Sequence, residues 1–178
     1  MIKKFVAAVL SCVVLIVLNN MATAETTAKA EDVKHRIGIG ARYWFALESI
    51  DAHGIDESGL CYFATYQYQP AYFFKIEGTV EVLPDNYGGS SNTVFAPQAY
   101  LIVGKGLYAG VGIGGYYSDG DFSNDPFYAL CAGLDVEVLP FLFLDLRINY
   151  RFDQWGDFEF DDIDTDTITV GAAALFQI

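Results

Sequence analysis

The sequence predicts an eight-stranded antiparallel up-and-down transmembrane β-barrel, and three observations carry the prediction. Eight segments of 9–11 residues alternate apolar and polar side chains with a period of two, at the length a tilted strand needs to cross a bilayer. The connections between them alternate short and long without exception. The chain also opens on an export leader. Composition sets the bounds: 178 residues suit one domain plus a leader, and 53% hydrophobic with 16% aromatic residues is too apolar for disorder. The 23 Asp+Glu against 10 Lys+Arg give a net charge of −13, which leaves no basic face for nucleic acid.

Residues 1–24 read as a secretory signal peptide. Lys3 and Lys4 precede an apolar run from Phe5 to Leu18, and Ala22-Thr23-Ala24 supplies an A-x-A cleavage site. The run is short for a retained membrane helix. Cys12 follows Val9-Leu10-Ser11, with Leu10 where lipoprotein processing wants a small residue and apolar sequence continuing beyond, so lipidation is not expected. Cleavage removes two bases and no acids, taking the mature chain to −15. Residues 25–35 form a short polar segment, expected in the periplasm, and 36–178 form the barrel domain.

The first strand places Ile37, Ile39, Ala41, Tyr43, Phe45 and Leu47 on one face and Gly38, Gly40, Arg42 and Trp44 on the other. The second, 60–68, aligns Leu60, Tyr62, Ala64, Tyr66 and Tyr68; the third, 74–82, aligns Phe74, Ile76, Val80 and Val82. The fourth, 95–103, carries Phe95, Ala99, Leu101 and Val103, and the fifth, 107–117, carries Leu107, Ala109, Val111, Ile113 and Tyr117. The sixth, 128–138, repeats the pattern from Tyr128 to Val138. The seventh, 142–152, sets Leu142, Leu144, Leu146, Ile148, Tyr150 and Phe152 against Phe143, Asp145, Arg147, Asn149 and Arg151. Ile168 to Ile178 close the chain. Tight turns are expected at Pro70-Ala71, Gly104-Lys105-Gly106 and Leu139-Pro140-Phe141, with longer polar connections near 48–59, 84–94, 118–127 and 153–167.

Nine charged residues fall within these strands: Arg42, Lys75, Glu77, Glu81, Asp135, Glu137, Asp145, Arg147 and Arg151. All lie opposite the apolar face. A soluble lipocalin-like barrel would turn its apolar face inward. Here the charged face also carries Gly38, Gly40, Gly110, Gly112, Gly114, Gly133 and Gly171, which suits a narrow filled interior, and the apolar face carries aromatics towards strand ends. The apolar face therefore points to lipid.

The leader, the eight alternating strands, the segment Leu107-Tyr-Ala-Gly-Val-Gly-Ile-Gly-Gly-Tyr-Tyr117 and the segment Leu144-Asp-Leu-Arg-Ile-Asn-Tyr150 resemble small outer-membrane β-barrel proteins of the OmpA/OmpX/opacity type. The resemblance spans the mature chain as a pattern. It implies a cell outer membrane of the Gram-negative type, both termini in the periplasm, and contact with outer-membrane lipid, lipopolysaccharide and the barrel assembly machinery. Family members usually finish on an aromatic residue read by that machinery; this chain finishes Phe176-Gln177-Ile178.

The chemical motifs are weak. Gly110-Val-Gly112-Ile-Gly114-Gly115 satisfies G-x-G-x-x-G, but Tyr116-Tyr117-Ser118-Asp119-Gly120 follows where a dinucleotide site needs a helix. Asp162, Asp164 and Asp166, and Asp119, Asp121 and Asp125, could offer oxygens to Ca²⁺; in the first set Thr167 replaces the turn glycine and Ala173 the closing Glu, so solvated acidic loops are expected. A lipid A deacylase would need Ser and His together. His35 precedes the first strand, and His53, with Asp51, Asp56 and Ser58 nearby in sequence, lacks the H-x-S-N arrangement of such enzymes. Cys61 and Cys131 face inward on opposite strands, too far apart for a disulfide, and are expected free.

Inward charges must pair. Arg147 is expected opposite Asp135 across the 139–141 turn, which keeps Asp135 away from Asp145. The expectation is a monomer without catalytic residues, cofactor or metal, with a structural role or one in surface interaction through its acidic loops with an unidentified external ligand. A lipid-modifying enzyme and a narrow gated channel are the alternatives.

Overall fold

The structure is a computed structural model and describes residues 33–46, 58–84, 93–118, 120–123, 126–152 and 167–178. Ten strands follow in chain order: β1 (Lys34–Ala46), β2 (Ser58–Ala71), β3 (Phe74–Leu83), β4 (Val94–Lys105), β5 (Leu107–Gly114), β6 (Tyr117–Ser118), β7 (Asp121–Phe122), β8 (Phe127–Leu139), β9 (Leu142–Phe152) and β10 (Thr167–Gln177). Eight are long and pair antiparallel around a ring, β3-β2-β1-β10-β9-β8-β5-β4, which β3–β4 pairing closes. Closure leaves the wall without a free edge, as a bilayer requires.

Strand parity sorts the side chains. Outward positions on β1 and β2, such as Ile39 (69% exposed) and Tyr62 (62%), stay uncovered, while the intervening Arg42, Trp44, Cys61 and Phe63 are buried. The same alternation runs along β3, β4 and β9. A water-soluble protein does not leave so many large apolar side chains uncovered in one continuous belt. The belt is the lipid face of a transmembrane barrel.

Inward glycines seat the large interior side chains. A Cβ at Gly112 would collide with the Tyr100 ring, at Gly40 with Phe63, at Gly114 with Phe127, at Gly133 with Tyr108, and at Gly171 with Arg42. Removing one side chain from the wall lets a ring lie across the lumen, which fills a narrow barrel.

The structure corrects several details. The β2–β3 turn falls at Tyr72-Phe73 rather than Pro70-Ala71, because the ladder slips between Tyr68 and Ala71, around a proline that has no N–H to donate. The 107–117 segment breaks at Gly115-Tyr116, then resumes as β6, which pairs with β7 in a small hairpin inside the expected 118–127 connection. His35 lies within β1, as its second residue. The turns at 104–106 and 139–141 stand as expected: Gly104 and Gly106 take φ of 125° and 72°. At the second of these Phe141 takes φ of 68°, where a side chain crowds its own carbonyl at a cost of about 1–2 kcal/mol.

Candidate functional site in the barrel lumen

The polar residues converge in the lumen, in three layers ordered along β1, β3 and β9. Nearest the tight turns, Asp135 Oδ2 receives Arg36 Nη1 at 2.7 Å and Lys75 Nζ at 2.5 Å. The Arg36 guanidinium also stacks 3.5 Å above the Phe143 ring. Two cations thus share one carboxylate.

In the middle layer Arg147 forms a fork on Glu77, Nη1 to Oε1 at 2.5 Å and Nη2 to Oε2 at 2.7 Å. Its Nη2 also reaches Asp145 Oδ2 at 2.9 Å, and its Nε donates to Tyr108 Oη at 2.7 Å. The Tyr108 hydroxyl in turn donates to Asp145. Gln67 Nε2 and Thr79 Oγ1 add hydrogen bonds to Glu77 at 2.7 and 3.1 Å. Arginine suits this place because its planar fork matches a carboxylate and leaves Nε for a third partner.

The layer nearest the long connections centres on Glu81. Arg42 Nη1 lies 3.2 Å from Oε1, Arg151 pairs with Oε2, and Gln98 Nε2 donates to Oε2 at 3.1 Å. Tyr100 donates to Gln98 Oε1 at 2.5 Å, and Arg42 lies 3.9 Å from the Phe63 ring centroid. Beyond this layer Trp44, Cys61, Leu83, Val94, Ala96 and Phe127 form an apolar cluster, with Tyr116 against it. Ions would leave water to pass it, which is costly.

Against the expectation from sequence, Asp135 stands directly opposite Asp145, and Arg147 opposite Gly133. The two carboxylates tolerate the register because their side chains turn to different cations: Asp135 to Arg36 and Lys75, Asp145 to Arg147 two residues along its own strand. The lumen is wide enough for a pair to form across it, so register alone does not decide who pairs. The inventory also shifts. Glu137 is exposed at the rim, while Arg36, which the first-strand reading left out, is buried. Its signal was present: Arg36 has the same parity as Gly38 and Arg42.

Cys61 and Cys131 are buried and free, on β2 and β8, diametrically opposed in the ring. Cys61 Sγ rests 3.3 Å from both the Arg42 carbonyl and Glu81 Oε1. Of the enzyme candidates, Ser58 accepts a hydrogen bond from Tyr43 Oη at 2.9 Å, and His35 Nδ1 is 2.6 Å from Tyr66 Oη on the outer wall. His53, Asp51 and Asp56 lie outside the described residues, as do Asp119, Asp125, Asp162, Asp164 and Asp166; Asp121 is exposed in β7. No group of three or more metal-ligating side chains occurs among the described residues.

No protein-family model matches this chain, and no curated protein matches it in sequence. Solved structures do. Neisserial surface protein A (NspA) is 14% identical with a TM-score of 0.58, over 83% of this chain and 100% of that one. The outer membrane protein AlkL, determined in DMPC lipid bilayers, is 14% identical with a TM-score of 0.50, over 86% of this chain and 93% of that one. The shared feature is the fold, that of small outer-membrane eight-stranded β-barrels.

Proposed function

We propose that this chain is an integral outer-membrane protein with a closed barrel, which acts by stabilising the membrane or by presenting its acidic connections to a partner. The observation that carries the closed reading is the lumen: three ion-pair layers, rings seated on glycine, and an apolar cap over Glu81. An eight-stranded wall leaves room for side chains and little else. No cofactor enters this reading.

Charge supports the same reading and an orientation. The four long connections hold fifteen of the 23 acids and no Lys or Arg. Lys34, Lys75 and Lys105 lie at the opposite end, with the strand termini. In this reading the termini face the periplasm, the acidic end faces outward among lipopolysaccharide headgroups, and a partner there is cationic or held through bridging cations. The barrel acts as a monomer.

Two measurements test it. Purified protein in planar bilayers is expected to give no steady ion conductance, and protease added to intact cells is expected to cut within 153–166 while a C-terminal tag stays protected. Stable open-channel currents would replace the closed barrel with the gated-channel alternative, and loss of the tag first would reverse the orientation.

A further inference from the structure

The outer wall does not end at the same height all round. On β1 the outward apolar run is interrupted after Ile37 by His35, bonded to Tyr66 and packed 5.3 Å from the Tyr68 ring, with the exposed Val33 before it. At the β4–β5 turn Lys105 sits 3.6 Å over the Tyr72 ring. Basic and aromatic side chains of this kind belong at the level of lipid headgroups.

The arc of wall between these two points differs. On β8 the outward run continues through Val136 and Val138 into the turn itself, where Leu139 is 60% exposed, Pro140 is uncovered and Phe141 is 65% exposed. Phe176 and Ile178 (71% exposed) extend the patch on the neighbouring strand end, and the Gln177 N–H donates to the Phe141 carbonyl at 2.8 Å. The tip from Val138 to Leu142 holds no polar side chain. A turn in water takes polar residues, and its third position, with positive φ, takes glycine or asparagine. This one holds a phenylalanine at φ 68° with its ring outward. Backbone strain retained to display an apolar ring points to something that covers the ring.

We propose that the β8–β9 turn lies within the bilayer, with Phe141 among lipid acyl chains, and that the barrel is therefore tilted towards this side. The occupant is lipid because the patch is continuous with the lipid-facing belt through Val136, Leu144 and Phe176. The Lys105 turn, the next hairpin along the rim, stays at the headgroup level.

The test places a tryptophan at each turn, Phe141→Trp and Lys105→Trp, in a background with Trp44→Phe and Trp155→Phe, refolded into vesicles of phosphatidylcholine brominated along the chains. Phe141→Trp is expected to emit at shorter wavelength and to be quenched by the bromolipid roughly twice as strongly as Lys105→Trp, with acrylamide showing the reverse order. Equal quenching at the two turns, or a 141 reporter open to acrylamide, would overturn the proposal. If the background fails to fold, nitroxide labels on Phe141→Cys and Lys105→Cys in the otherwise native barrel, where Cys61 and Cys131 are buried, read the same contrast. Oxygen then reaches the 141 label better than a nickel chelate does, and the opposite ratio refutes insertion.

Discussion

Arg147 binds two carboxylates and a phenol from one buried guanidinium, so its loss strands two buried negative charges at once. Arg147→Met is expected to destabilise the barrel by about 3–5 kcal/mol, because Glu77 and Asp145 then remain buried without their cation. Urea unfolding from vesicles measures it. Adding Glu77→Gln to that variant is expected to recover part of the loss, since one stranded charge disappears with its partner. If the double variant loses the sum of the two single losses, the fork on Glu77 does not bind the two groups as one unit. What sequence reading could see at this scale was parity, and parity put Arg147, Glu77, Asp135 and Asp145 inside. It could not see pairing, because Arg147 and Glu77 stand 70 positions apart and meet across the lumen. A rule built for neighbours on a sheet face does not apply to a surface rolled closed.

At the scale of the strand, the face a glycine occupies decides what it is for. Gly112 lies inward beneath Tyr100, while Gly78 lies outward on β3, where a Cβ would meet nothing within 4 Å. Gly112→Val is therefore expected to cost about 1–3 kcal/mol through displacement of the ring. Gly78→Val is expected to gain up to about 1 kcal/mol, because a branched side chain suits a strand and nothing there needs the space. Unfolding midpoints of the two variants in the same vesicles give the comparison, and equal losses at both positions would mean the inward rings do not depend on their glycine seats. The strands themselves were legible from alternation and the hairpins from Gly104, Gly106 and Pro140. The slip near Pro70 and the break at Gly115-Tyr116 were not. Both are places where the ladder changes without changing the apolar pattern around it.

The ring keeps the two thiols of the barrel, Cys61 and Cys131, on opposite walls. A thiol reagent is expected to leave Cys61 and Cys131 unmodified in the folded barrel and to label both after denaturation, with no disulfide in a non-reducing mass measurement. Labelling of the folded protein at either position would mean that reagent-sized molecules enter the lumen. The ring order has a second consequence, for assembly. Apart from Asp145 with Arg147, the lumen ion pairs join residues 39 to 99 positions apart, and Arg36 on the first strand meets Asp135 on the eighth. A wall built strand by strand from β1 gathers Arg36, Arg42, Lys75, Glu77 and Glu81 before β9 joins with Arg147 and Arg151 to complete the set. Their desolvation must wait, so an unfinished barrel is a trough with a wet inner surface. The water leaves late and together, when β9 brings the missing arginines. Contacts of such long range form slowly, which makes expulsion of that water a natural kinetic checkpoint between an inserted chain and a finished barrel.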